Sequence, residues 1–134
     1  MQTFDVQAVE IGADFAKAFD YIANPLNLPE WTNAFRSVSD GKAVLETPAG
    51  AAEIALEVRA FRDHGTVDWI MRFPDQTVET AYSRLVSAGK GKCIFSFVLM
   101  APKVPMEQLE GTLEQQSAIL SRELTKLQQI LNQS

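Results

Sequence analysis

The chain has 134 residues, enough for one domain with a sizeable core, and at 46% hydrophobic and 22% charged its composition is that of a globular protein. No apolar run approaches the roughly 20 residues that span a bilayer. The start, MQTFDVQAVEIG, alternates rather than joining a basic segment to an apolar one, so a cytoplasmic protein with neither membrane span nor signal peptide is expected. A net charge of −5, with Lys and Arg scattered along the chain, argues against nucleic-acid binding, which needs a clustered basic surface.

In chain order, TFDVQAVEI (residues 3–11) places Phe4, Val6 and Ala8 on one side and Asp5 and Gln7 on the other, which predicts a half-buried strand. Gly12-Ala13-Asp14 leads into FAKAFDYI, where Phe15, Ala18, Phe19 and Ile22 recur at helical spacing with Asp14 as N-cap. Asn24-Pro25 ends that helix, because the residue before a proline is pushed out of the helical region, and PLNLPEW allows at most another turn or so before Pro29. Beyond Phe35, five turn signals divide six strands: Asp40-Gly41, Pro48-Ala49-Gly50, Asp63-His64-Gly65, Pro74-Asp75-Gln76 and Gly89-Lys90-Gly91. The short loops between RSVS, AVLE, AEIALEVRAF, TVDWIMRF, TVETAYSRLVS and KCIFSFVLM imply an antiparallel meander.

After Ala101-Pro102 the period changes. Pro105 suits a first helical turn, and Met106, Leu109, Leu113, Ser117, Leu120, Leu124, Leu127 and Leu131 form a stripe spaced by three and four. A helix of nearly 30 residues, about 40 Å long, follows from it. The stripe also approximates heptads, so a coiled-coil dimer competes with coverage of the chain's own sheet, and a monomer or weak homodimer is expected.

This order of elements, with "FDYIANPLNLPEW" after a first strand and a leucine-rich terminal helix introduced by "APKVP", resembles the START-like, polyketide-cyclase and pollen-allergen superfamily (SRPBCC) over essentially the whole chain. The resemblance implies an α+β helix-grip fold spanning 1–134: a curved seven-stranded antiparallel sheet wrapped around the C-terminal helix, with two short helices after strand one. It also implies a cavity between sheet and helix, with Trp31 and Phe35 at its wall or mouth and Leu113 on its helical side.

Strand alternation nominates further lining residues: Trp69, Met71 and Phe73 share one face of TVDWIMRF, and Phe95 and Phe97 one face of KCIFSFVLM. The competing reading is that these side chains simply fill the core. Tyr82 and Arg84 share a face of TVETAYSRLVS with Val78 and Val86. If that face is inward they are the convergent polar groups of the cavity, but Ala81, Ser83 and Leu85 compete for the same side. Ile54, Leu56, Val58 and Ala60 are expected inward on their strand, leaving Glu53, Glu57 and Arg59 in solvent.

His64 falls in a turn, and Cys93, the single cysteine, reads as a buried inert thiol. Glu107, Glu110, Glu114 and Glu123 read as the polar side of the long helix. No metal-ligand spacing, phosphate-cradling glycine loop or nucleophile elbow appears, so no metal, cofactor or catalytic residue is assigned. The function expected is binding of a lipid-like, aromatic or polyketide-like small molecule. Two alternatives compete with it: a cyclase- or dehydratase-type enzyme using Tyr82 or Arg84 as a weak acid or base, and a protein-interaction domain with a filled core.

Overall fold

Turn residues set the strand boundaries. The computed structural model describes residues 3–47, 50–101 and 113–132. Strand β1 (Phe4–Ile11) is followed by α1 (Phe15–Ala23), a 3-10 turn (Pro25–Asn27) and α2 (Leu28–Trp31). Then come β2 (Phe35–Ser39), β3 (Lys42–Thr47), β4 (Gly50–Phe61), β5 (Thr66–Arg72), β6 (Val78–Ser87) and β7 (Cys93–Met100), and last α3 (Leu113–Asn132). Met106 and Leu109 of the leucine stripe lie outside the described residues, as do Pro102, Pro105, Glu107, Glu110, Gly111 and the turn pair Pro48-Ala49. No helix among the described residues is long and apolar enough to cross a membrane.

The sheet is antiparallel throughout, in the order β1-β7-β6-β5-β4-β3-β2. Short turns make β2 to β7 a meander, and β1 returns to pair with β7 from Phe4 opposite Met100 to Ile11 opposite Cys93. Asp40 and Gly41 both take positive φ, as a tight hairpin between β2 and β3 requires. Gly65 is demanded by contact as well as by its φ of 70°: a Cβ there would lie 2.0 Å from the Leu85 carbonyl oxygen, and the Leu85 N–H donates to the Gly65 carbonyl at 2.7 Å.

The fold is a curved sheet gripping α3. Leu120, Leu124, Leu127 and Leu131 are 3% exposed or less, and they join the core with Ile11, Val67, Leu85 and Phe95 from the sheet and Phe19 and Ile22 from α1. These four leucines of the stripe are therefore covered by the chain's own sheet and are not free to form a coiled coil. Asp14 stands at the N-cap of α1, but its side chain does not cap the helix; its carboxylate accepts from the Gly91 N–H at 2.8 Å and ties the helix start to the β6–β7 turn.

In β1 the apolar side of the alternation faces outward. Phe4 and Val6 are half exposed, while Asp5, Gln7 and Val9 share the inner side with fully buried Ile11. The parity is set by the end of the strand: Ile11, opposite Cys93, must reach the core, and period two carries Asp5 and Gln7 to the same side. Gln7 is satisfied there, its Nε2 donating to the Ser117 carbonyl of α3 at 2.8 Å.

Candidate functional site

The prolines and asparagines after α1 build a corner. The Asn24 side chain accepts from the Leu26 N–H, Asn27 Nδ2 donates to the Tyr21 carbonyl, and Pro29 occupies the first turn of α2 rather than ending a helix. The Tyr21 hydroxyl donates to Glu30 at 2.5 Å, which braces α1 against α2. Burial and then Glu30 push that phenol well above the usual tyrosine range, so it keeps its proton. The corner delivers Trp31 to the inside of the sheet at 2% exposure.

There Trp31 meets an aromatic cluster. Its ring lies edge-on to Trp69 with centroids 6.2 Å apart and edge-on to Phe95 at 6.5 Å, while Trp69 stacks on Phe97 at 5.8 Å. Beside this cluster, between the sheet and the first half of α3, is a cavity of about 150 Å³. Six of the sequence candidates line it: Trp31, Phe35, Trp69, Met71, Phe73 and Phe97. Leu28, Ala34, Leu45, Ala81 and Leu99 complete the apolar wall from the α2 and sheet side, and Ile119 and Leu120 from α3.

Four candidates lie elsewhere. Phe95 is fully buried behind Trp31 and Phe97 as core, and Leu113, at the start of α3, is not on the wall. Tyr82 and Arg84 point out of the opposite face of the sheet. Tyr82 is 45% exposed, and Arg84 Nε donates to the His64 carbonyl in the β4–β5 turn. The choice of face follows from Leu85, which is 2% exposed in the core, and from Ser83, whose hydroxyl donates to the Val67 carbonyl at 2.6 Å.

The same parity brings in Glu79, which the sequence reading passed over. It lines the cavity at 7% exposure. The signal was available: Glu79, Ala81, Ser83 and Leu85 alternate on one side. Glu123 and Gln116 of α3 and Glu46 of β3 also border the cavity. Glu46 pairs with Arg36 at 3.1 Å, and Glu123 accepts from the Asn33 N–H, pinning the α2–β2 connection to α3. Among the described residues no lysine, arginine or histidine lines the cavity, and no cluster of side chains could hold a metal ion.

Two donors in this site have no acceptor. The indole nitrogens Nε1 of Trp31 and Trp69 are buried without a hydrogen-bond partner. A buried donor left unmatched costs about 1–3 kcal/mol, so a pair of them in one cluster is a standing penalty on the fold.

No family model matches the sequence, and no curated protein matches it. Solved structures do resemble it. A START superfamily protein from Mycobacterium smegmatis is 13% identical with a TM-score of 0.67, the match covering 98% of this chain and 99% of that one. A protein from Deinococcus radiodurans is 17% identical with a TM-score of 0.68, covering 98% of each chain. The Zhui aromatase/cyclase from Streptomyces sp. R1128 is 8% identical with a TM-score of 0.66, covering 97% of this chain and 93% of its own. With likeness over almost the whole of each chain, a seven-stranded antiparallel sheet and a C-terminal helix in its grip, this protein has the START-like helix-grip fold.

Proposed function

We propose that the chain binds a hydrophobic small molecule in the cavity between the sheet and α3. The observation that carries this reading is the cavity itself: space of about 150 Å³ beside an aromatic cluster, walled by apolar side chains of the sheet, α2 and α3. Affinity would come from apolar burial at roughly 25 cal/mol per Å². An apolar cavity of about this volume can hold a benzene-sized guest, so the ligand is a single substituted ring or the end of a lipid-like or polyketide-like chain. Ala81→Leu places a larger side chain on the sheet wall of the cavity. Native mass spectrometry of the purified protein and titration with an apolar fluorescent dye test the proposal. One bound molecule per chain, lost in Ala81→Leu, is the expected result. A parent protein that captures nothing, or a variant that binds equally well, would count against it.

The likeness to an aromatase/cyclase favours a second reading, an enzyme that holds a flexible polyketide-like substrate folded. Tyr82 and Arg84 stand on the wrong face for that chemistry. Glu79, buried on the wall, is the group that could give or take a proton. Under this reading Glu79→Gln abolishes turnover and leaves substrate binding intact. Turnover unchanged in the variant removes Glu79 from the reaction.

A further inference from the structure

We propose that the outer edge of β1 is where two copies of this chain join, Phe4–Ala8 of each strand pairing antiparallel about Val6 and carrying the sheet across a two-fold axis. β1 and β2 are the two edges of the sheet. β2 is a poor template, because its register with β3 slips between Phe35 and Ser37, and such a bulge twists an edge away from pairing. β1 keeps one register with β7 from Phe4 to Ile11. The Ala101 N–H donates to the Thr3 carbonyl, so by alternation Thr3, Asp5, Gln7 and Val9 turn their backbone groups to β7, and Phe4, Val6, Ala8 and Glu10 turn theirs away from it. Toward the end of the strand α3 closes this edge: the Glu10 carbonyl accepts from Gln128 Nε2, and the Gly12 N–H donates to the Asn132 side chain. Phe4–Ala8 lies ahead of those two contacts.

The occupant follows from the side chains of that stretch, which match their own reverse. About Val6, Phe4 falls opposite Ala8 of the partner subunit, Asp5 opposite the partner's Gln7, and Val6 opposite the partner's Val6. On the outer face the half-exposed Phe4 ring gains a small neighbour, and on the inner side a carboxylate meets an amide donor. The Val6 N–H, which lies against the Asp5 carboxylate, takes the partner's Val6 carbonyl as its acceptor instead. Neighbouring registers are worse. Centring the pair on Asp5 sets two carboxylates opposite each other, and centring it on Gln7 needs the Glu10 carbonyl that Gln128 already holds. None of Phe4–Ala8 lines the cavity, so the interface and the ligand reading stand or fall separately.

A ladder this short buries less than the roughly 1,200 Å² of a standard interface, so sedimentation velocity from about 10 µM to about 1 mM should show a monomer passing to a dimer with a Kd on the order of 0.1 mM. Val6 is half exposed and sits opposite itself, so Val6→Lys and Val6→Glu should each melt as the parent does and each weaken the dimer about tenfold or more, because like charges then face each other. Mixing the two variants in equal amounts should restore association, since opposite charges meet across the axis. In the isotope-labelled parent, the Val6 and Ala8 amide protons should exchange with solvent more slowly as the protein concentration rises. A parent that stays monomeric to the top of the range overturns the proposal. So does a dimer that survives both substitutions, a mixture that associates no better than either variant alone, or a dimer that forms while the Val6 and Ala8 amides exchange as before.

Discussion

The two halves of α3 face the same sheet and do opposite things with it. Toward its C-terminal end, Leu127 and Leu131 are sealed in a core with Ile11, Ile22 and Leu85, and the backbone is tied down as well. Gln128 Nε2 donates to the Glu10 carbonyl, and the Gly12 N–H donates to the Asn132 side chain. Toward its N-terminal end, Gln116, Ile119 and Glu123 border the cavity, and the side chains opposite them are the large aromatics of α2, β5 and β7. Large rings on a curved surface leave gaps where aliphatic side chains close them, so the closed half supplies the stability that lets the other half stay open.

The largest break in that comparison is removal of the helix. Truncation after Leu113 deletes Leu120, Leu124, Leu127 and Leu131, each worth about 1.5–3 kcal/mol of apolar burial, a sum comparable to the roughly 5–15 kcal/mol that holds a whole domain. The truncated chain should show no cooperative thermal transition and should bind an apolar dye without saturation. A truncated monomer that still melts cooperatively would refute the idea that α3 completes the core.

A pair of single substitutions separates the halves. Leu127→Ala, at a site 0% exposed, is expected to cost about 2–5 kcal/mol in urea denaturation. Ile119→Ala removes a side chain that already borders empty space, and should cost about 1 kcal/mol while widening the cavity for larger ligands. Equal costs at the two positions would mean that the halves are packed alike.

Most of this architecture was legible in the sequence because it depends on local chemistry. Turns at Asp40-Gly41 and Asp63-His64-Gly65 and the leucine spacing of α3 are written in adjacent residues, and so are the faces of Trp69, Met71, Phe95 and Phe97. What failed depended on which side of a strand the rest of the molecule covers. In β1 the apolar parity of Phe4 and Val6 lost to Ile11, and in β6 Tyr82 and Arg84 lost to Ser83 and Leu85, since both parities offer comparable side chains and only the partners across the sheet decide. Phe4, Val6, Tyr82, Val86 and Ile94 are left exposed along the outer face of β1, β7 and β6. The unmatched indoles could not be foreseen at all, because a missing acceptor is a property of the assembled interior.

The smallest expected effect concerns Cys93, which lies at the closed end opposite Ile11. Its thiol is 0% exposed and its Sγ is 3.2 Å from the Ala13 carbonyl, to which it donates. Burial, and then the charge of Asp14, hold its pKa above the ordinary thiol value. Below the unfolded thiol's pKa of about 8.5 both states keep the proton and the native state loses nothing. As pH rises past that value the unfolded chain releases the proton while the folded one retains it, so stability falls until the folded pKa is passed. Tyr21, also raised by burial, adds a similar loss only above the ordinary phenol pKa of about 10, which leaves a window from about pH 8 to 9.5 in which the thiol acts alone of the two. Urea midpoints across that window should decline more steeply for the parent than for Cys93→Ala, whatever the variant's stability at pH 7. A thiol reagent should modify the parent only as fast as it unfolds. Parallel slopes together with rapid modification of the native protein would place the thiol in contact with solvent and the closed end of the core with it.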